Sequence, residues 1–126
     1  MLEPLIIEKT EQNPKVILDK ENQIFQFSGR TLLEDAIKFY TPVQNWIERY
    51  IKDPNESTEL ILHFDYINSA SLKKIVKIIG DLESIIDQGK TVKVVWFYKK
   101  DDEVMKEKGT EIMSVSKLPI TFREIE

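Results

Sequence analysis

The sequence predicts an α/β fold: a mixed, largely parallel β-sheet that opens with an N-terminal hairpin and is covered by about three helices. Three observations carry this. Two short β-leaning runs at the start, Val16-Ile17-Leu18 and Ile24-Phe25-Gln26-Phe27, flank the polar turn Asp19-Lys20-Glu21-Asn22, which is hairpin chemistry. Over the remaining two-thirds, apolar β-rich runs alternate with segments whose apolar residues recur every three or four positions, the pattern of strands joined by crossover helices. No repeat, low-complexity segment or linker interrupts the 126 residues, so 1–126 reads as one domain.

Taken in order, Leu5-Ile6-Ile7-Glu8-Lys9-Thr10 predicts a first strand, Gln12-Asn13-Pro14 a turn, and the hairpin follows, ended by Ser28-Gly29-Arg30. Thr31-Leu32-Leu33-Glu34 has the form of a capping box, a hydroxyl and a glutamate three residues on. The helix it would open carries Leu33, Ala36, Ile37, Tyr40, Val43, Ile47, Tyr50 and Ile51 on one side. This period passes Pro42 without a slip, which predicts one kinked helix to about residue 52. Thr58–Phe64 is almost wholly apolar and reads as a central, buried strand. Leu72, Ile75, Val76, Ile79, Leu82 and Ile86 then mark a second helix that Gly89 stops. Thr91–Tyr98 is the strongest strand by composition. A third helix opens at Asp101-Asp102-Glu103 and runs to about Val115 despite Gly109, and Pro119–Arg123 forms the last strand.

Composition narrows the function. A charged fraction of 32% and a hydrophobic fraction of 41% are those of a globular chain. With net charge −4 and no basic excess, nucleic-acid binding is disfavoured. There is no cysteine, hence no thiolate nucleophile or Cys-ligated metal. The start Met1-Leu2-Glu3-Pro4 is unlike a signal peptide, and no apolar run reaches membrane-span length. The expectation is a cytoplasmic protein with no membrane insertion.

Little in the chain suggests catalysis. His63 is the one histidine, two residues before Asp65 and so on the same strand face. The pair could do acid–base work, but no nucleophile stands at a recognisable spacing, and a structural histidine is the plainer reading. No Asp-x-Asp metal motif and no glycine-rich phosphate loop is present. The expectation is no enzyme, no metal and no cofactor.

The junction between central strand and second helix is where hydroxyls gather. Asn68, Ser69 and Ser71 sit at the helix start, where backbone N–H groups lack intrahelical partners and the dipole favours anions. Most serines so placed are only caps. Here Lys73 follows Ser69 by four residues and Lys77 lies one turn further. A phosphate on Ser69 would therefore be accommodated by the folded protein.

That corner, Tyr66-Ile67-Asn68-Ser69-Ala70-Ser71-Leu72-Lys73, resembles the phospho-acceptor corner of STAS domains, the anti-sigma-factor antagonists. It departs from them in having Asn68 for the aspartate, Ala70 at the usual second hydroxyl and Ser71-Leu72-Lys73 for Gly-Leu-Gly. The chain is more similar to the SiaC-type regulatory phosphoproteins, a STAS-like family patterned as aromatic, Asn, Ser or Thr, small, Ser, aliphatic, Lys. The likeness extends to Ser28-Gly29-Arg30, to Phe39-Tyr40, Pro42 and Trp46-Ile47, and to Val94–Tyr98 before Asp101-Asp102-Glu103.

The resemblance implies a STAS-like partner switch. A dedicated kinase would phosphorylate Ser69, with Ser71 the fallback acceptor, and a PP2C-type phosphatase would reverse it. The unphosphorylated form would bind and activate a GGDEF diguanylate cyclase, setting cyclic di-GMP output and biofilm formation. Tyr66, Asn68, Ser71, Lys73 and Lys77 would form the phosphate environment and docking face. Three other readings stay open on the residues alone: an anti-sigma-factor antagonist that binds an anti-sigma kinase, a small enzyme using His63 and Asp65, and a binder of an apolar ligand.

Overall fold

The computed structural model describes residues 2–126. Ten elements follow one another: β1 (Leu5–Ile7), β2 (Lys15–Asp19), β3 (Ile24–Thr31), α1 (Ala36–Tyr50), β4 (Ser57–Ile67), α2 (Ser69–Leu82) with a 3-10 extension over Glu83–Gln88, β5 (Thr91–Lys99), α3 (Glu103–Val115) and β6 (Ile120–Ile125). The six strands form one sheet in sequence order. β1, β2 and β3 pair antiparallel, whereas β3 through β6 pair parallel. The expected α/β class, opening hairpin and three helices are all present.

Each helix carries the chain to the next parallel strand in the same direction across the sheet. Right-handed crossovers therefore place all three on one face. Burial agrees. Phe25, Phe27, Leu60, Leu62, Phe64, Val94 and Trp96 point under the helices and are nearly inaccessible. Their neighbours Gln26, Ile61, His63 and Phe97 are only half-buried on the other face. β4 was expected to be buried on both faces; the structure covers one, and Glu59 and Asp65 are exposed on the other.

Two boundaries differ from the sequence reading at the place that matters for the site. β3 does not end at Ser28-Gly29-Arg30 but runs on to Thr31, with a register shift that sets Gly29 against Phe64 and Arg30 against Tyr66, leaving Asp65 as the extra residue of a bulge. Gly29 holds φ at 103° there, open to glycine at little cost. Nor is Thr31 a helix cap. It is fully buried within the strand, and α1 begins five residues later, capped by the Asp35 carboxylate, which accepts from the Lys38 amide at 3.0 Å. Thr31 is β-branched and its hydroxyl finds buried partners in Ser71 and Tyr40, and those two properties outweigh its cap-like spacing.

α1 is one helix with Pro42 inside it, as the unbroken period predicts. Pro42 and Lys38, whose carbonyl loses its usual partner, are both exposed, so water can satisfy that carbonyl. The helix buries Ala36, Tyr40, Val43, Trp46, Ile47 and Tyr50. Trp46 and Tyr50 stack at 5.3 Å between centroids, and Phe25 lies 4.9 Å from Tyr50. α3 brings Gly109 against Trp96, whose Nε1–H donates to the Met105 carbonyl at 2.9 Å. A Cβ at residue 109 would lie 2.6 Å from the indole. The glycine that weakens the helix on propensity is thus what admits the tryptophan.

Candidate functional site

The strand-to-helix corner sits where β4 ends beside the end of β3. Ile67 pairs with Thr31, and the Asn68 amide donates to the Thr31 carbonyl at 3.0 Å. Asn68 is the N-cap of α2. Its Oδ1 accepts from the Ser71 amide at 2.9 Å, and its carbonyl accepts from the Leu72 amide at 2.9 Å. Its Nδ2 donates to the Leu33 carbonyl at 3.1 Å, tying the loop before α1 to the start of α2. One side chain thus caps the helix and fixes the neighbouring loop.

Ser69 is the first residue of α2 and is exposed, as is Ala70. The cap takes up the amides of Ser71 and Leu72, which leaves the two preceding N–H groups directed at solvent beside the Ser69 hydroxyl. The first turn of α2 contains no acidic residue. Helix dipole and free amides therefore present an uncompensated positive end. Lys73, one turn along on the same side, is exposed and forms no ion pair among the described residues.

The other residues of the corner divide. Tyr66 is 41% exposed and lies beside Arg30 on the open sheet face, available to a partner. Lys77 is drawn elsewhere. Its ammonium bonds the Asp81 carboxylate at 2.8 Å, which raises the lysine pKa, and Asp81 is also held by the Gln44 amide. Eight residues of helix place it about 12 Å from Ser69. It belongs to the α1–α2 seam, not to the surroundings of a phosphate.

Ser71, the fallback acceptor, is fully buried, and its Oγ accepts from the Thr31 hydroxyl at 2.8 Å. A kinase could reach it only by opening the corner. Thr31 and Tyr40, whose phenol lies 3.1 Å from the Thr31 hydroxyl, are site residues that the sequence reading missed. Burial raises the Tyr40 pKa to about 12, against the opposing effect of its hydroxyl partners. On sequence they looked like a cap and a core stripe. A usable signal was a lone threonine following an apolar strand with a tyrosine nine residues on, but it is weak.

His63 and Asp65 do not form a pair. The His63 ring lies 5.3 Å from that of Phe97, and Asp65 approaches Lys99 at 3.8 Å. Among the described residues no group of three or more His, Cys, Asp or Glu side chains gathers as a metal site, and no helix is long and apolar enough to cross a membrane.

The scaffold is thus a mixed α/β sheet covered on one face by three helices, with one exposed serine at the first position of α2. Residues 7–125 match the SiaC family of regulatory phosphoproteins, and the chain belongs to that family.

An uncharacterised protein of Pseudomonas aeruginosa strain UCBPP-PA14 is 25% identical over 119 residues, 94% of each chain. The structure of SiaC of Pseudomonas aeruginosa superposes with a TM-score of 0.87 at 24% identity, covering 98% of this chain and 99% of that one. A chain in the crystal structure of the diguanylate cyclase SiaD in complex with its activator SiaC, from the same organism, gives 0.88 at 25% identity, covering 96% and 99%.

Proposed function

We propose that this protein is a non-catalytic, phosphorylation-dependent partner switch whose acceptor is Ser69 and whose output is a GGDEF-type diguanylate cyclase. The observation that carries this is the exposed Ser69 hydroxyl at the first position of α2, beside two free amides, in a chain of the SiaC family. That SiaC of Pseudomonas aeruginosa activates the cyclase SiaD supports the choice of output.

Phosphorylation would add ~1.5–2 negative charges to this corner. The helix end and Lys73 would hold them without unfolding, so the fold survives while the surface changes. A partner that packs over Tyr66 and the start of α2 would then have to desolvate a dianion, and it dissociates. A dedicated kinase and a PP2C-type phosphatase would set the two states, in the cytoplasm where the cyclase makes its product.

The test is cyclic di-GMP synthesis by the GGDEF cyclase of the same host, with unphosphorylated protein, Ser69-phosphorylated protein or Ser69→Ala added. Stimulation by the first and third only is expected. Equal stimulation by all three, or by none, would rule this reading out.

A further inference from the structure

Two residues beyond the acceptor, three buried hydroxyls close on one another. Thr31 Oγ1 donates to Ser71 Oγ at 2.8 Å. Its single proton is thereby used, so in the 3.1 Å contact the Tyr40 phenol donates to Thr31. The result is a buried chain of hydroxyls, Tyr40 to Thr31 to Ser71. Thr31 and Ser71 are inaccessible and Tyr40 is 1% exposed. The chain joins the second turn of α1, the end of β3 and the third residue of α2.

An apolar trio would fill this space with no desolvation cost. What a hydrogen-bonded chain adds is direction, because turning any member away leaves buried hydroxyls without partners. Residues two apart on a helix point ~200° apart around its axis. Fixing Ser71 inward therefore turns Ser69 outward, and Asn68 locks the same turn through the Ser71 amide.

The geometry points to the Tyr40–Thr31–Ser71 hydroxyl chain as a positioning device for the acceptor: it holds Ser69 as the exposed hydroxyl of the corner and withholds Ser71 from modification. This rests on Ser69 being the switch residue. Thr31, Tyr40 and Ser71 are positioning residues, since none of them receives the phosphate.

Amide hydrogen exchange on the unmodified protein tests the positioning, and phosphate uptake in the native host, read by intact mass and site mapping, tests its consequence. In Thr31→Val the Ser71 and Leu72 amides should exchange about tenfold faster relative to those of Leu62 and Val94 in the sheet centre. Phosphorylation at Ser69 should slow, and Thr31→Ser should restore both. Tyr40→Phe should show the same local effect and serves if Thr31→Val folds poorly. Corner and sheet amides accelerating by one common factor would reduce the hydroxyl chain to ordinary core and overturn the proposal. So would an unchanged rate of Ser69 phosphorylation in a variant with a loosened corner. Wild-type protein that never acquires phosphate at Ser69 would instead remove the switch reading and, with it, the hydroxyl chain's role in serving an acceptor. The exchange data would still report whether the helix start is held.

Discussion

Replacing Asn68 with alanine removes two hydrogen bonds at once. The first is the helix cap, Oδ1 to the Ser71 amide at 2.9 Å, and losing an Asn cap costs ~1 kcal/mol within a range of about 0.5–2. The second is Nδ2 to the Leu33 carbonyl at 3.1 Å, a half-buried bond with a net value of ~1 kcal/mol. Their sum is ~2 kcal/mol, roughly a thirtyfold fall in the folding equilibrium constant. Asn68→Asp keeps an acceptor for the cap, gains from the dipole and loses only the Leu33 bond. Its loss should stay within ~1 kcal/mol. Urea unfolding followed by the fluorescence of the buried Trp46 and Trp96 measures both, with unchanged slope. An Asn68→Ala loss below ~0.5 kcal/mol would refute the view that Asn68 builds the corner. A loss in Asn68→Asp as large as in Asn68→Ala would assign its contribution to Leu33 and not to the cap.

Gly109→Ala should destabilise by ~1–2 kcal/mol, because overpacking against Trp96 and Phe122 outweighs the gain in helix propensity; the unfolding midpoint checks it, and a stabilised variant would contradict the packing. Tyr40, ordinarily 10.0, is pushed up to about 12. A raised acid contributes stability that is full below pH 10 and lost as pH rises towards 12, a decline that Tyr40→Phe should lack in alkaline unfolding curves. Phosphate on Ser69 should raise the melting free energy by ~0.3–1 kcal/mol through the dipole and free amides. That gain should shrink in high salt, and thermal scans of the two forms would show it. The Asp53 carboxylate is held below its ordinary range chiefly by its hydrogen bond to Lys20. Its contribution is present above about pH 4 and drains away on acidification, and Lys20→Met should flatten that part of the acid curve.

The strands and helices were legible because local pattern and tertiary environment agree for most of the chain. Thr91–Tyr98 is β-rich and buried, and α2 carries a clean apolar stripe. The cap at Asn68 was readable for the same reason: a polar residue directly before a periodic run has few other uses. Thr31 misled because two rules claimed it. Its spacing to Glu34 fits a capping box, while its side chain belongs to a strand that a bulge prolongs beyond Gly29. A register shift has no local signature.

Ser71 misled in a related way, since a hydroxyl near a helix start reads alike whether it faces water or Thr31. Lys77 could not be placed without knowing that Asp81 and Gln44 meet across two helices. What sequence could not show at the site was long-range: β3 against β4, and α1 against α2.

The switch turns on one atom, the Ser69 hydroxyl. Intact mass and a phosphate-affinity gel on protein purified from its native host, wild type beside Ser69→Ala, test it. A species heavier by one phosphate is expected in the wild type and absent in Ser69→Ala, with Ser71 unmodified in both. Modification that persists in Ser69→Ala, or a wild-type protein that carries no phosphate under any growth condition, would leave Ser69 an ordinary first residue of α2 and contradict the switch.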